Sequence, residues 1–170
     1  METYQKRVFN TVLSLVQNQE DAKDVTQEVF VKVYETLATF KGESSLSTWI
    51  YRIATNKALD ALKYKRTQKR FGLVFSIFGG ESESQMAHEI PDFYHPGVAL
   101  ERKEDAAVLF KAIEQLPENQ KVAFTLNKID GLSYAEIAEI MEVSVSSVDS
   151  LLSRAKQNLQ RRLRGFYGSQ

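Results

Sequence analysis

The chain has 170 residues, 43% of them hydrophobic and 26% charged, which is enough for one globular domain or two small ones. It has no cysteine, which excludes disulfide scaffolds and thiolate metal sites and fits a reducing cytoplasm. No apolar run approaches the ~18 residues of a membrane span, and METYQKRVFN lacks the apolar core and cleavage site of a secretory signal, so no membrane insertion is expected.

Val8, Val12, Leu15 and Val16 share one face of the stretch 4–17, which predicts a first helix. A second is predicted over 21–39, where Val25, Val29, Val33 and Leu37 recur at helical spacing. FKGESSLS, residues 40–47, reads as a loop by its Gly and Ser. Ser47 is the expected N-cap of a third helix, with Trp49, Ile50, Ile53, Ala54, Ala61 and Leu62 as its buried stripe. Three such helices can close a small core ending near residue 70.

Formal charge sums to zero, yet it is segregated. Lys57, Lys63, Lys65, Arg66, Lys69 and Arg70 crowd the end of the third helix against Asp60 alone, and Arg154, Lys156, Arg161, Arg162 and Arg164 crowd another. The acids lie at 20–28, 81–92 and 101–118. Such patches are either polyanion contacts or ordinary solvated faces.

Between 71 and 103 the periodicity dissolves into an acidic stretch with Pro91 and Pro96, which reads as an interdomain linker. Its apolar start, Phe71 to Phe78, either extends the third helix or docks elsewhere. Helices resume at 106–116, closed by Pro117, and at 118–129, with Val122, Ala123, Leu126 and Ile129 inward and Asp130-Gly131 as the stop. No sustained alternation predicts a strand.

Ser133-Tyr134-Ala135-Glu136 has the form of a capping box. Ile137, Ala138 and Met141 give a short apolar face, Glu142-Val143-Ser144 a turn, and Ser144 a cap for a helix beginning at Val145. Ala138, Val143, Val148 and Leu152 fall where two crossed helices touch. The pattern is that of a helix-turn-helix, with a plain helical hairpin as the bland reading. Glu142 stands where such turns often carry glycine, and a left-handed residue there costs about 1 kcal/mol. Ser146, Ser147, Asp149, Ser150 and Ser153 are the exposed start of the second helix, followed by Arg154 and Lys156. Hydroxyls allow close approach to base edges and phosphates, and the cations neutralise phosphates.

DAKDVTQEVFVKVYETL and FKGESSLSTWIYRIATNKALD, followed by L-P-x-x-Q and G-L-S-Y-x-E-I-A, resemble bacterial sigma factors of the extracytoplasmic-function group. The motifs match in order and separation over about 4–70 and 104–164. The resemblance implies an all-α protein of two small helical domains joined by a flexible linker: 1–70 for core polymerase and the −10 element, 71–103 as linker, and 104–170 for the −35 element. It implies a factor that directs core RNA polymerase to promoter DNA, with an anti-sigma factor as a further partner and the cytoplasm as its location. It places Asp24, Gln27 and Glu28 against polymerase. Ser44 and Ser45, in a loop that captures a flipped base, join Trp49, Arg52, Asn56, Lys63 and Arg66 at the −10 element. Trp49 either stacks there or fills the core. Ser146, Ser147, Ser150, Arg154 and Lys156 face the −35 element, where Asp149 and Leu151 depart from the basic residues common in the family.

No catalytic residue, cofactor or metal site is expected. His88 and His95 lie in the predicted linker without a nucleophile motif, and no glycine-rich phosphate loop follows a strand. The competing reading is a stand-alone two-domain regulator that binds duplex operators, and a third is an adaptor that keeps the fold without promoter melting.

Overall fold

The computed structural model describes residues 2–77 and 103–168. Its helices are α1 (Glu2–Val16), α2 (Gln19–Thr36), α3 (Leu46–Ile77), α4 (Lys103–Glu114), α5 (Glu118–Phe124), α6 (Tyr134–Met141) and α7 (Val145–Tyr167), with no strand among the described residues. No helix of the described residues is long and apolar enough to cross a membrane.

Val8, Val12 and Leu15 of α1 meet Val25, Val29 and Val33 of α2, all buried, as their spacing predicts. Asn18 starts α2 by accepting from the Asp21 N–H at 3.0 Å, and Glu20 and Asp21 add negative charge to its first turn. α3 crosses both through buried Ile50, Ala54 and Ala58, the two alanines letting the helices approach closely.

Three sequence expectations are corrected. Ser45, not Ser47, caps α3: its hydroxyl accepts from the Thr48 N–H at 3.0 Å. Leu37 is exposed rather than buried, because α2 tightens there into a 3₁₀ turn, Leu37–Thr39, that rotates it off the valine stripe. Val143 is exposed instead of filling the helix crossing, because the left-handed Glu142 before it swings the chain outward. Of the two readings left open for the apolar start of the linker, extension of α3 holds over residues 71–77, since Gly72 weakens a helix without ending it. Residues 78–102, with His88, His95 and the acidic run, lie outside the described residues.

In the C-terminal half, α5 widens after Phe124 into a π turn, Thr125–Ile129, closed by the Asp130 N–H donating to the Thr125 carbonyl at 3.1 Å. Phe110, Ile113 and Leu116 of α4 and its exit pack on Ala155 and Leu159 of α7. The predicted capping box is present. Ser133 and Glu136 bond reciprocally, with the Ser133 N–H donating to the carboxylate at 2.8 Å. Ser144 then accepts from the Ser147 N–H at 3.1 Å to start α7.

The two helical units do not stand apart. Val122, Leu126, Ile137, Ile140, Val148 and Leu152 lie in one continuous core with the apolar faces of α1–α3. α6 packs on α3, and the π turn packs on α1.

Candidate nucleic-acid interface

Three surfaces carry the residues singled out by sequence. On α2, Asp24, Gln27 and Glu28 are all exposed, beside buried Val25 and Val29. Glu28 is held by Lys57 of α3 at 3.2 Å, and the neighbouring Asp21 pairs with Lys65. Val31 and Tyr34 continue the line of Gln27 along the helix and rim an open apolar groove with Phe9 and Phe30, Tyr34 being 85% exposed. Sequence reasoning missed this pair. Its signal was present, since two large apolar residues sit off the buried stripe at the helical spacing of Gln27.

The second surface is the loop 40–45 and α3. Phe40 and Trp49 meet at 5.0 Å between ring centroids with their planes tilted by 37°, and Trp49 packs partly against the core. Ser45 is committed to the cap, while Ser44 is half-buried beside it. Asn56 and Lys63 face solvent.

Arg52 is partly buried, and Arg66 is exposed but paired. Arg52 Nη2 donates to the Glu139 carbonyl at 2.7 Å and Nη1 lies 3.4 Å from the Glu142 carboxylate, both at the end of α6. Arg52 Nε is buried without a partner among the described residues. Arg66 Nη1 donates to Glu118 of α5 at 3.1 Å. Two of the cations assigned to one DNA element are thus bound by the opposite half of the chain.

The third surface is the helix-turn-helix. Ala138, Val148 and Leu152 are buried at the crossing, as the spacing predicts. Glu142 holds φ 57°, ψ 44°, the left-handed turn that the spacing requires. Ser146, Ser147, Asp149, Arg154 and Lys156 are exposed at and beyond the start of α7, with Ser150 half-buried. A helix start lined by hydroxyls and followed by cations suits the major groove with its flanking phosphates.

Two family models match: Sigma-70 region 2 over residues 1–68 and Sigma-70, region 4 over 107–159. The RNA polymerase sigma-H factor of Pseudomonas aeruginosa is 34% identical over 164 residues, covering 94% of this chain and 82% of the relative. The ECF RNA polymerase sigma-E factor of Escherichia coli is 36% identical over 160 residues, with the same coverage. Among solved structures, the sigma factor RpoE in complex with the anti-sigma factor NepR from Bartonella quintana has a TM-score of 0.63 at 22% identity, covering 95% of this chain and 92% of that one. CnrH in complex with the cytosolic domain of CnrY has a TM-score of 0.68 at 19% identity, covering 96% and 84%.

Proposed function

The chain belongs to the sigma-70 family of RNA polymerase sigma factors, in its extracytoplasmic-function group, and from that premise we propose how its surfaces divide the work of initiation. α2 docks core RNA polymerase through Asp24, Gln27 and Glu28, extended by Val31 and Tyr34. The loop with Ser44 and Ser45 and the α3 residues Trp49, Arg52, Asn56, Lys63 and Arg66 engage and melt the −10 element. Ser146, Ser147, Ser150, Arg154 and Lys156 read and hold the −35 element. The chain acts in the cytoplasm and supplies no catalytic group of its own.

One observation carries the reading. A capped helix-turn-helix with an exposed cationic exit shares its chain with a second, separate row of DNA-type side chains on α3. A stand-alone regulator has no use for the second row. Complexes of two structurally similar factors with regulatory partners support an anti-sigma partner here as well.

Reconstitution tests it. Adding the full chain to bacterial core polymerase with a genomic promoter library should yield start sites that share −35 and −10 sequences. Duplex binding with no transcript supports the regulator instead.

A further inference from the structure

Asp149 is the sole acid of α7, exposed on a helix whose other exposed residues are mostly hydroxyls, amides and cations. Helix stability does not account for it. Asp149 is the fifth residue of α7, where an acid gains little from the helix dipole, and Ser144 already supplies the cap. Its own helix offers no partner either. Val145 and Ser146 precede it by one turn, Leu152 and Ser153 follow by one, and none of the four is a cation. The ion pairs among the described residues all lie elsewhere, so the carboxylate is free to accept from outside the chain.

Position makes that charge informative. Ser146, Asp149, Ser153 and Lys156 recur at i, i+3, i+7 and i+10 as one exposed stripe beside buried Val148 and Leu152. The serines on either side of Asp149 are short, so α7 can approach base edges closely enough for a short acid to reach them. Lys156 lies about 10 Å further along the helix, too far to neutralise Asp149 and placed for a phosphate instead. The start of a recognition helix is the part that meets bases.

The chemistry then narrows the base. Phosphates only accept hydrogen bonds, and a carboxylate placed against one is repelled. In the major groove guanine presents the acceptors N7 and O6, and thymine the acceptor O4. Adenine presents the N6 amino donor beside the acceptor N7, which opposes a carboxylate. Cytosine alone presents a donor, its N4 amino group, with no acceptor beside it on its own edge.

We propose that Asp149 is a specificity-determining residue for the −35 element, accepting a hydrogen bond from the N4 amino group of a cytosine and excluding guanine and thymine at that position. The inference rests on the promoter-binding reading above and adds which base this acid reads. It also gives the acid a discriminating role, since the charge lowers affinity wherever no donor meets it.

The test uses the full chain with bacterial core polymerase on a promoter library randomised over the −35 region, with transcripts sequenced against their templates. The parent should enrich cytosine over guanine or thymine at one −35 position by about fivefold to a hundredfold. Asp149→Asn keeps the side-chain shape and gains an amide donor. It should move that position to adenine, because asparagine pairs with N6 and N7 together. Asp149→Ala should leave the position without preference and the others unchanged. A merely structural role would lower transcription evenly across templates, so an even loss with the cytosine preference intact overturns the proposal. So does a parent that selects other −35 bases but no cytosine. A parent that enriches no shared −35 sequence at all sinks the promoter-binding reading, and this inference with it.

Discussion

Asp130 shows how one proton can matter at the junction. Its carboxyl is pushed up to about 7 by burial, against the opposing pull of the Thr11 hydroxyl and Arg7. Thr11 Oγ1 lies 3.0 Å from the Arg7 carbonyl and 2.9 Å from Asp130 Oδ2, and a hydroxyl has one proton to give. A protonated Asp130 resolves the conflict by donating to Thr11, which then donates to Arg7. Tyr51 of α3 faces the same cluster and feels both Asp130 and Glu136 of α6; burial first, then Asp130, raises its phenol. An acid raised in the fold stabilises it fully below the ordinary 3.8, and that contribution is lost as pH climbs through about 7. Asp130→Asn should therefore gain melting temperature relative to the parent between those limits and hold a constant difference above them, which paired thermal scans across pH will read. Lys121 carries a cation into the interior near Arg66, Glu114 and Glu118. It is 1% exposed, and its amine is held below the usual lysine range by burial and then by Arg66. Lys121→Met should stabilise the chain at pH 7 by about 1–2 kcal/mol in urea unfolding, since the desolvation cost disappears while the aliphatic packing stays. None of this was legible in sequence, where Asp130 reads as a helix stop and Lys121 falls outside the predicted inward stripe.

At the level of elements, the legible parts were those whose cause is local. The capping box of α6 needs only Ser133 and Glu136, and two hydrogen bonds from Ser133 hold the Glu136 carboxyl below its usual range. Ser133→Ala should cost about 1 kcal/mol of stability in denaturant titration. α7 follows equally from its own residues: a serine cap, an apolar stripe through Val148, Leu152, Ala155 and Leu159, and cations on the other side. If Lys156 rests on a −35 phosphate, Lys156→Ala should weaken duplex binding evenly across sequences and reduce the logarithmic salt slope by about 1, measured by titration at several ionic strengths. Local rules also misled where two serines competed. Ser45 and Ser47 both precede an apolar run, and the choice between them depends on which hydroxyl reaches a free N–H, which periodicity does not encode.

Across the whole molecule, two helical units were readable and their closure was not. The apolar faces of α1–α3 and α5–α6 each read as a unit's own core, and the ties between them join residues 52 to 119 positions apart. Arg52 illustrates the gap, because a cation on the outer side of α3 looks free until α6 is laid against it. The polymerase face is separate from that junction. Asp24→Lys should lower co-elution with core polymerase about tenfold or more while its melting temperature stays at the parent value; Glu28→Lys is a poorer probe because it also confronts Lys57. α3 itself carries a mechanical consequence. It runs unbroken from Leu46 to Ile77, its last turns present Phe71, Leu73 and Val74 to solvent, and the segment joining the halves departs from that tip. The tip stands about 16 Å beyond Arg66, so its exposed apolar side chains lie a full arm's length from the Arg66–Glu118 pair.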